Sequence, residues 1–153
     1  MRPREVPSGP LLIDTDVFAW ITWQRDRFRE FDDLVEGHIL ALSFATVGEL
    51  RAGVLIGGWG EKRRRMLEER IAQYVVLTAT DPVTHRFAAI YARFRGQLKG
   101  DGLNDMWVAA TALAQPDPPP VVTGNRSDFE RMATEFPLVV IHPDAPSAIN
   151  PGT

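Results

Sequence analysis

Residues 11–20 read LLIDTDVFAW, and the rest of the predicted architecture follows from them. Three apolar residues, Leu11–Ile13, lead directly into Asp14, and a mainly apolar segment comes after it. This order predicts a buried strand, a carboxylate at its carboxyl end and the beginning of a helix. Ligands bind at the carboxyl ends of the strands in an open parallel sheet. Because a buried carboxylate is costly unless something positive faces it, we expect Asp14 to belong to a site.

Further apolar runs and helical segments alternate along the chain. The remaining strands are predicted at residues 38–43, 74–78, 121–123 and 138–141. The helices are predicted at residues 17–35 with a break, 46–57, 61–73, 81–98, 105–114 and 127–134. Since the strands are continuously apolar and alternate with helices, the pattern predicts an α/β sandwich around a mostly parallel sheet of about five strands.

Capping residues predict where two of these helices begin. Thr46 is followed three residues later by Glu49, which matches the capping box, so Glu49 is expected in a first helical turn. Asn104 is the predicted N-cap of the helix that begins at Asp105. Both acids are thus predicted close to a helix N-terminus.

The composition is that of an ordinary globular domain. The 153 residues are 44% hydrophobic and 24% charged, with no apolar run as long as a membrane span or a signal peptide, so we expect no membrane association. Zero cysteines exclude disulfides and cysteine metal sites and favour a cytoplasmic location. The net charge of −3 means that nucleic acid would have to bind a local basic patch. We expect a flexible segment at 1–10, one domain at 11–142 and a flexible tail at 143–153.

Four acids fall at equivalent ends of the predicted elements: Asp14, Glu49, Asp105 and Asp128. Right-handed crossovers would bring them to one edge of the sheet. Clustered carboxylates repel one another unless a divalent cation keeps them ionised. Oxygen ligands without cysteine or paired histidines indicate a hard metal, Mg²⁺ or Mn²⁺. Such a site would hydrolyse phosphoesters with a metal-activated water.

Four blocks of the sequence, LLIDTDVFAW, TVGELRAGV, NDMWVAATAL and VVTGNRSDF, resemble the conserved blocks of PIN-domain ribonucleases, most closely the VapC toxins of toxin-antitoxin pairs. The resemblance spans residues 11–141. It implies a PIN-like three-layer α/β/α sandwich, endoribonuclease activity that depends on Mg²⁺ or Mn²⁺, and inhibition by a cognate VapB-type antitoxin. A homodimer is also expected.

The resemblance assigns roles to individual residues. The catalytic acids would be Asp14, Glu49, Asp105 and Asp128, of which Asp14, Asp105 and Asp128 would bind the metal. The supporting residues would be Thr15, Asp16, Thr123 and Asn125. Two positions depart from the family pattern: Gly124 stands where arginine is often found, and Asp16 stands where asparagine or serine is more usual. Asp16 is either a helix cap or an additional acid near the metal.

Basic and aromatic residues suggest where larger partners bind. Arg86, Arg93, Arg95 and Lys99, on the predicted helix before Asp105, are candidate RNA-binding residues. Trp20, Trp23 and Phe28 are expected to offer apolar surface to the antitoxin.

Two alternatives remain open at this point. Residues 14–16 fit the DxD motif of haloacid-dehalogenase-like phosphatases, with Asp14 as the nucleophile, and residues 100–105 resemble their later GDGxND loop. That loop should follow a buried strand, whereas here it follows a polar helical segment, and the motif leaves the blocks around Glu49 and Asp128 unexplained. The third possibility is a PIN-like binding module without activity, against which the complete set of four acids argues.

Overall fold

The structure, a computed structural model, describes residues 6–144. The predicted flexible ends therefore lie mostly outside the described residues. The strands are β1 (Leu11–Ile13), β2 (Leu40–Ser43), β3 (Val75–Leu77), β4 (Val121–Val122) and β5 (Val140–Ile141). The helices are α1 (Thr15–Trp23), α2 (Phe28–Val35), α3 (Phe44–Gly57), α4 (Glu61–Ile71), α5 (Asp81–Phe94), α6 (Leu103–Leu113) and α7 (Arg126–Ala133).

The five strands form one sheet in the order β3-β2-β1-β4-β5, and every neighbouring pair is parallel. The central strand β1 pairs with β2 on one side and with β4 on the other. Because all the strands run in one direction, their carboxyl ends meet at one edge, where Asp14 directly follows β1. The predicted parallel sheet of about five strands is confirmed.

Alternate strand residues face opposite layers of helices. Leu12 and Val121 belong to a core with α5, α6 and α7, while Ile13 and Val122 belong to a second core with α1, α2, α3 and α4. Successive residues of a strand point to opposite faces, so a strand buried on both faces must be apolar throughout, as β1 is. The sheet thus lies between two helical layers, and the predicted three-layer α/β/α sandwich is confirmed.

The predicted boundaries are wrong at several places. All the strands after β1 are one or two residues shorter than predicted, and α3 begins at Phe44 with Ser43 as its N-cap. Thr46 is therefore a buried residue inside the helix and not its cap, and Glu49 lies in the second turn. The capping-box pattern was misleading because the helix begins directly after the predicted strand end, where the Ser43 hydroxyl accepts the Ala45 N–H.

The α5–α6 connection also differs from the prediction. Helix α5 ends at Phe94 and not near Leu98, because Arg95 has an extended ψ of 133° and Gly96 has a positive φ of 76°. Helix α6 begins at Leu103 after Gly102, so Asn104 is within the helix and does not cap it. No helix among residues 6–144 combines the length and apolar character needed to cross a bilayer.

Candidate active site

Asp14 lies at the centre of the site, between the ends of β1 and β4. Its backbone N–H donates to the Val122 carbonyl (3.0 Å), and its side chain is only 4% exposed. The Thr15 N–H donates to Asp14 Oδ1 at 2.8 Å, so the carboxylate caps α1. The Thr123 hydroxyl donates to Oδ2 at 2.7 Å. Both carboxylate oxygens are therefore held by the protein.

The segment between β4 and α7 connects Asp14 to two other acids. The Asn125 N–H donates to Thr123 Oγ1 at 2.9 Å. The Asn125 side-chain amide donates to Asp105 Oδ2 at 2.7 Å and to Asp128 Oδ2 at 2.9 Å. Hydrogen bonds of Thr123 and Asn125 thus connect the three predicted metal ligands, which are up to 114 residues apart in the sequence.

Asp16 and Gly124, the two departures from the family pattern, contact each other. Asp16 Oδ1 accepts hydrogen bonds from the Val17 N–H (2.7 Å) and the Gly124 N–H (3.4 Å). A Cβ atom at Gly124 would lie 2.5 Å from Asp16 Oδ2 and closer still to a ring carbon of Trp20. Asp16 and Trp20 therefore occupy the space that a side chain at position 124 would need.

Glu49 approaches the same group of acids from α3. It is exposed, and its negative charge acts on both Asp16 and Asp105. In addition, the Thr15 hydroxyl donates to Thr46 Oγ1 at 3.2 Å, which joins α1 to α3 beside Asp14. The structure therefore brings all four predicted catalytic acids, with Asp16, to the carboxyl edge of the sheet.

The electrostatics of this cluster favour a bound cation. Burial, followed by the charges of Asp16 and Asp105, raises the pKa of Asp14 to about 8. Burial also raises the pKa of Asp105 to about 6 and that of Asp16 above its usual value, with repulsion between the acids adding to both effects. Within residues 6–144, these carboxylates form no ion pair with a lysine, arginine or histidine. No basic side chain of the described residues therefore neutralises these acids when they are ionised.

The four candidate RNA-binding residues differ in their surroundings. Arg93 forms an ion pair with Glu135. Arg86, Arg95 and Lys99 are exposed, and their side chains form no ion pair with a carboxylate of the described residues. Arg95 and Lys99 were predicted on a helix, but they lie in the segment that joins α5 to α6.

The contact between Lys99 and Asp128 could not be predicted from the pattern of helices in the sequence. The backbone N–H of Lys99 donates to Asp128 Oδ2 at 3.1 Å. The three glycines around it, at 96, 100 and 102, are the sequence signal for an ordered turn, since all adopt positive φ angles.

Trp20 was predicted to offer apolar surface to a partner, but it is half-buried and packs on Phe31 with ring centroids 5.4 Å apart.

A protein-family model for the PIN domain matches residues 11–135. The chain belongs to the PIN-domain family. It is 35% identical over 106 residues to Ribonuclease VapC4 of Mycobacterium tuberculosis, a match that covers 67% of this chain and 78% of that protein. The family resemblance stated from the four sequence blocks is therefore confirmed.

Solved structures share this PIN fold. VapBC2 of Rickettsia felis, bound to a DNA fragment from its promoter, superposes with a TM-score of 0.69 at 17% identity and covers 92% of this chain and 99% of its own. VapBC-1 of Haemophilus influenzae has a TM-score of 0.69 at 21% identity, covering 89% of this chain and 99% of its own. At these identities the likeness concerns the fold alone.

PIN-domain ribonucleases generally depend on divalent metals. Within residues 6–144, no three acidic or histidine side chains converge closely enough to chelate one ion. Mg²⁺ does not need such a cage, because it commonly keeps several waters and binds through one or two carboxylates plus substrate phosphates. When ionised, Asp14 and Asp105 supply hard oxygen atoms and negative charge that no basic side chain of residues 6–144 neutralises. The donor set of this PIN domain therefore fits a hard divalent cation in kind and in charge.

Proposed function

We propose that this PIN domain is a VapC-type endoribonuclease that hydrolyses RNA phosphodiester bonds with the help of Mg²⁺ or Mn²⁺. The observation that carries the proposal is the series of hydrogen bonds that runs from Asp14 through Thr123 and Asn125 to Asp105 and Asp128. No lysine, arginine or histidine of the described residues forms an ion pair with these acids. Membership of the PIN-domain family and the identity to a relative named as a VapC ribonuclease support it.

Of the three predicted ligands Asp14, Asp105 and Asp128, one or two carboxylates would hold the metal directly, because no three acids of residues 6–144 converge closely enough to chelate one ion. When bound, the metal supplies positive charge for the phosphate and a nucleophilic water at neutral pH. Thr123 and the Thr15 amide orient Asp14, and Asn125 orients Asp105 and Asp128 by donating to one oxygen of each. Glu49, the exposed acid of the set, faces the solvent side, from which substrate and water arrive. Such fixed hydrogen bonds hold the reacting groups in place before the reaction.

The antitoxin is the proposed protein partner. Several solved structures with this fold are VapBC toxin-antitoxin complexes, including one from Mycobacterium tuberculosis and one from Salmonella typhimurium bound to DNA. An arginine or lysine of a VapB-type antitoxin, placed among the carboxylates, would compete with the metal for the same oxygen atoms. The homodimer and the cytoplasmic location stay predictions.

Cleavage of purified total RNA tests the enzymatic proposal. The native chain should cut RNA with Mg²⁺ or Mn²⁺ and lose this activity in excess EDTA. Asp105→Asn should reduce the rate by at least about a hundredfold, because it removes a charge from the metal site. Asp117→Asn, which removes an exposed carboxylate from the connector before β4, is the matched control and should cleave normally. Undiminished cleavage in saturating EDTA would refute metal dependence.

The same preparation distinguishes the two alternatives. A haloacid-dehalogenase-like phosphatase would form an aspartyl-phosphate on Asp14 and hydrolyse a small phosphomonoester. Residues 100–102 form a turn between two helices and do not follow a strand, which argues against that mechanism. A chain that binds RNA but cleaves none with any metal would be the inactive binding module.

A further inference from the structure

Residues 95–102, RGQLKGDG, form a tightly folded connection between α5 and α6 that we call the 95–102 loop. Its three glycines, Gly96, Gly100 and Gly102, have φ angles of 76°, 59° and 67°. Leu98 is only 8% exposed and packs on Gly102, where an added Cβ would lie 2.7 Å from Leu98 Cβ. A buried leucine and glycine-dependent turns give the loop a defined conformation.

The loop is attached to the acidic site through its backbone. Asp128, which is 4% exposed, accepts the Lys99 N–H at 3.1 Å on Oδ2. The same oxygen accepts a hydrogen bond from the Asn125 amide (2.9 Å), which also donates to Asp105 Oδ2 (2.7 Å). The Asp128 carboxylate and the Asn125 side-chain amide therefore link the Lys99 backbone to Asp105.

The basic side chains of this loop are available to a ligand. Arg95 and Lys99 are exposed and form no ion pair with any carboxylate of the described residues. The loop's own acid, Asp101, instead accepts the Leu103 N–H at 3.0 Å at the start of α6. In contrast, Arg93, which lies on α5 two residues before the loop, is paired with Glu135. Among Arg93, Arg95 and Lys99, the side chains without an ion pair are thus the two on the loop.

We propose that Lys99, with Arg95 beside it, binds the phosphates of the RNA strand next to the bond that is cleaved, and that Asp128 is a positioning residue for Lys99. This inference rests on the proposed ribonuclease function. An RNA strand that approaches the carboxylates is repelled by them, and lysine or arginine charges at the edge of the cluster offset that repulsion. Because the contact is to phosphate, it adds affinity without sequence preference.

The test compares Lys99→Ala, Lys99→Arg and Arg95→Ala with Lys62→Ala. Lys62 is an exposed lysine in the first turn of α4 with no ion pair among the described residues, so it is matched in charge. Lys99→Ala should raise KM for single-stranded RNA by about three- to tenfold and leave kcat nearly unchanged. Lys99→Arg should restore most of the loss. Mn²⁺ affinity, measured by calorimetry, should be the same in all four variants.

Binding of a labelled single-stranded RNA, measured by fluorescence anisotropy in EDTA and in an Asp105→Asn background to suppress cleavage, gives a readout independent of catalysis. Lys99→Ala should reduce the slope of log affinity against log salt by about 0.7, the value for one lost phosphate contact on a single strand. If Asp128 positions Lys99, the Lys99→Ala loss should be smaller in an Asp128→Ala background than with Asp128 intact. Fully additive losses would contradict the positioning role.

The outcomes separate this inference from the proposed function. If the native chain neither binds nor cleaves RNA, the ribonuclease proposal fails. If the native chain does both, but Lys99→Ala and Arg95→Ala behave like Lys62→Ala, the proposed function stands and the phosphate contact by this loop is wrong.

Discussion

At Gly124 the backbone after β4 passes directly against Asp16 and Trp20 of α1. We expect Gly124→Ala to destabilise the protein by about 1–3 kcal/mol, because the new methyl group would overlap the Asp16 carboxylate and the Trp20 ring. RNA cleavage should fall as well, since a displaced segment would move Thr123 and Asn125 away from the acids they contact. Urea unfolding at neutral pH measures the first effect.

Gly53→Ala is the matched control for that substitution. Gly53 lies within α3, and an added Cβ would meet nothing within 4 Å. Alanine in a helix interior should therefore stabilise the protein by roughly 0.5–1 kcal/mol. Equal stability of the Gly124→Ala and native chains would contradict the close packing between Gly124 and α1.

At the scale of elements, Ser43 connects the end of β2 to two helices. Its hydroxyl accepts the Ala45 N–H at 3.2 Å as the N-cap of α3 and lies 2.9 Å from Thr111 Oγ1 of α6. Thr111 uses its own hydrogen on the Trp107 carbonyl at 2.7 Å, so Ser43 must donate to Thr111. One buried hydroxyl thus both caps α3 and fixes α6 against β2.

We expect Ser43→Ala to lower the free energy of unfolding by about 1–2 kcal/mol, because α3 loses its cap and Thr111 loses a buried donor. Chemical denaturation followed by circular dichroism measures the change. Ser8→Ala, at an exposed serine before β1, is the control and should stay within about 0.5 kcal/mol of the native chain. A Ser43→Ala variant as stable as that control would show that the cap contributes nothing.

For the whole molecule, the acidic cluster should make stability depend on pH and metal. The pKa of Asp14 is about 8 in the folded protein and near its ordinary 3.8 when unfolded. Between these values the folded state keeps a proton that the unfolded state releases, so the stability of the metal-free protein should fall as pH rises from about 4 to 8. Each unit of this pKa difference changes the free energy of unfolding by about 1.4 kcal/mol.

Thermal unfolding in EDTA between pH 5 and pH 8 measures this dependence. Asp14→Asn should flatten the profile and unfold at a higher temperature than the native chain at pH 8, while Asp117→Asn should follow the native profile. Adding Mn²⁺ at pH 8 should raise the unfolding temperature of the native chain, because a ligand that binds only the folded state stabilises it. A native profile that is flat in EDTA would mean that Asp14 is not held protonated by its surroundings.

The sequence by itself determined the α/β architecture, the family and the acids worth examining. Runs such as Leu11–Ile13 are local patterns, and a strand that is apolar on both faces can only be buried between helices. The acids were recognisable because each follows or precedes such a run, and the parallel sheet has one carboxyl edge. Asp14 needed no knowledge of distant residues to be identified as a site residue.

Only the tertiary structure decided how those residues are held. Ser43, and not Thr46, caps α3, and its hydroxyl is held in place by Thr111 of α6, a contact between segments 68 residues apart. The Lys99 amide bonds to Asp128 across 29 residues, which no local period can encode. The raised pKa of Asp14 likewise comes from burial and from the charges of Asp16 and Asp105, which act through space once the chain has folded. Hydrogen bonds and charges between distant segments depend on distance in space and not on spacing along the chain, so the sequence pattern alone did not contain them.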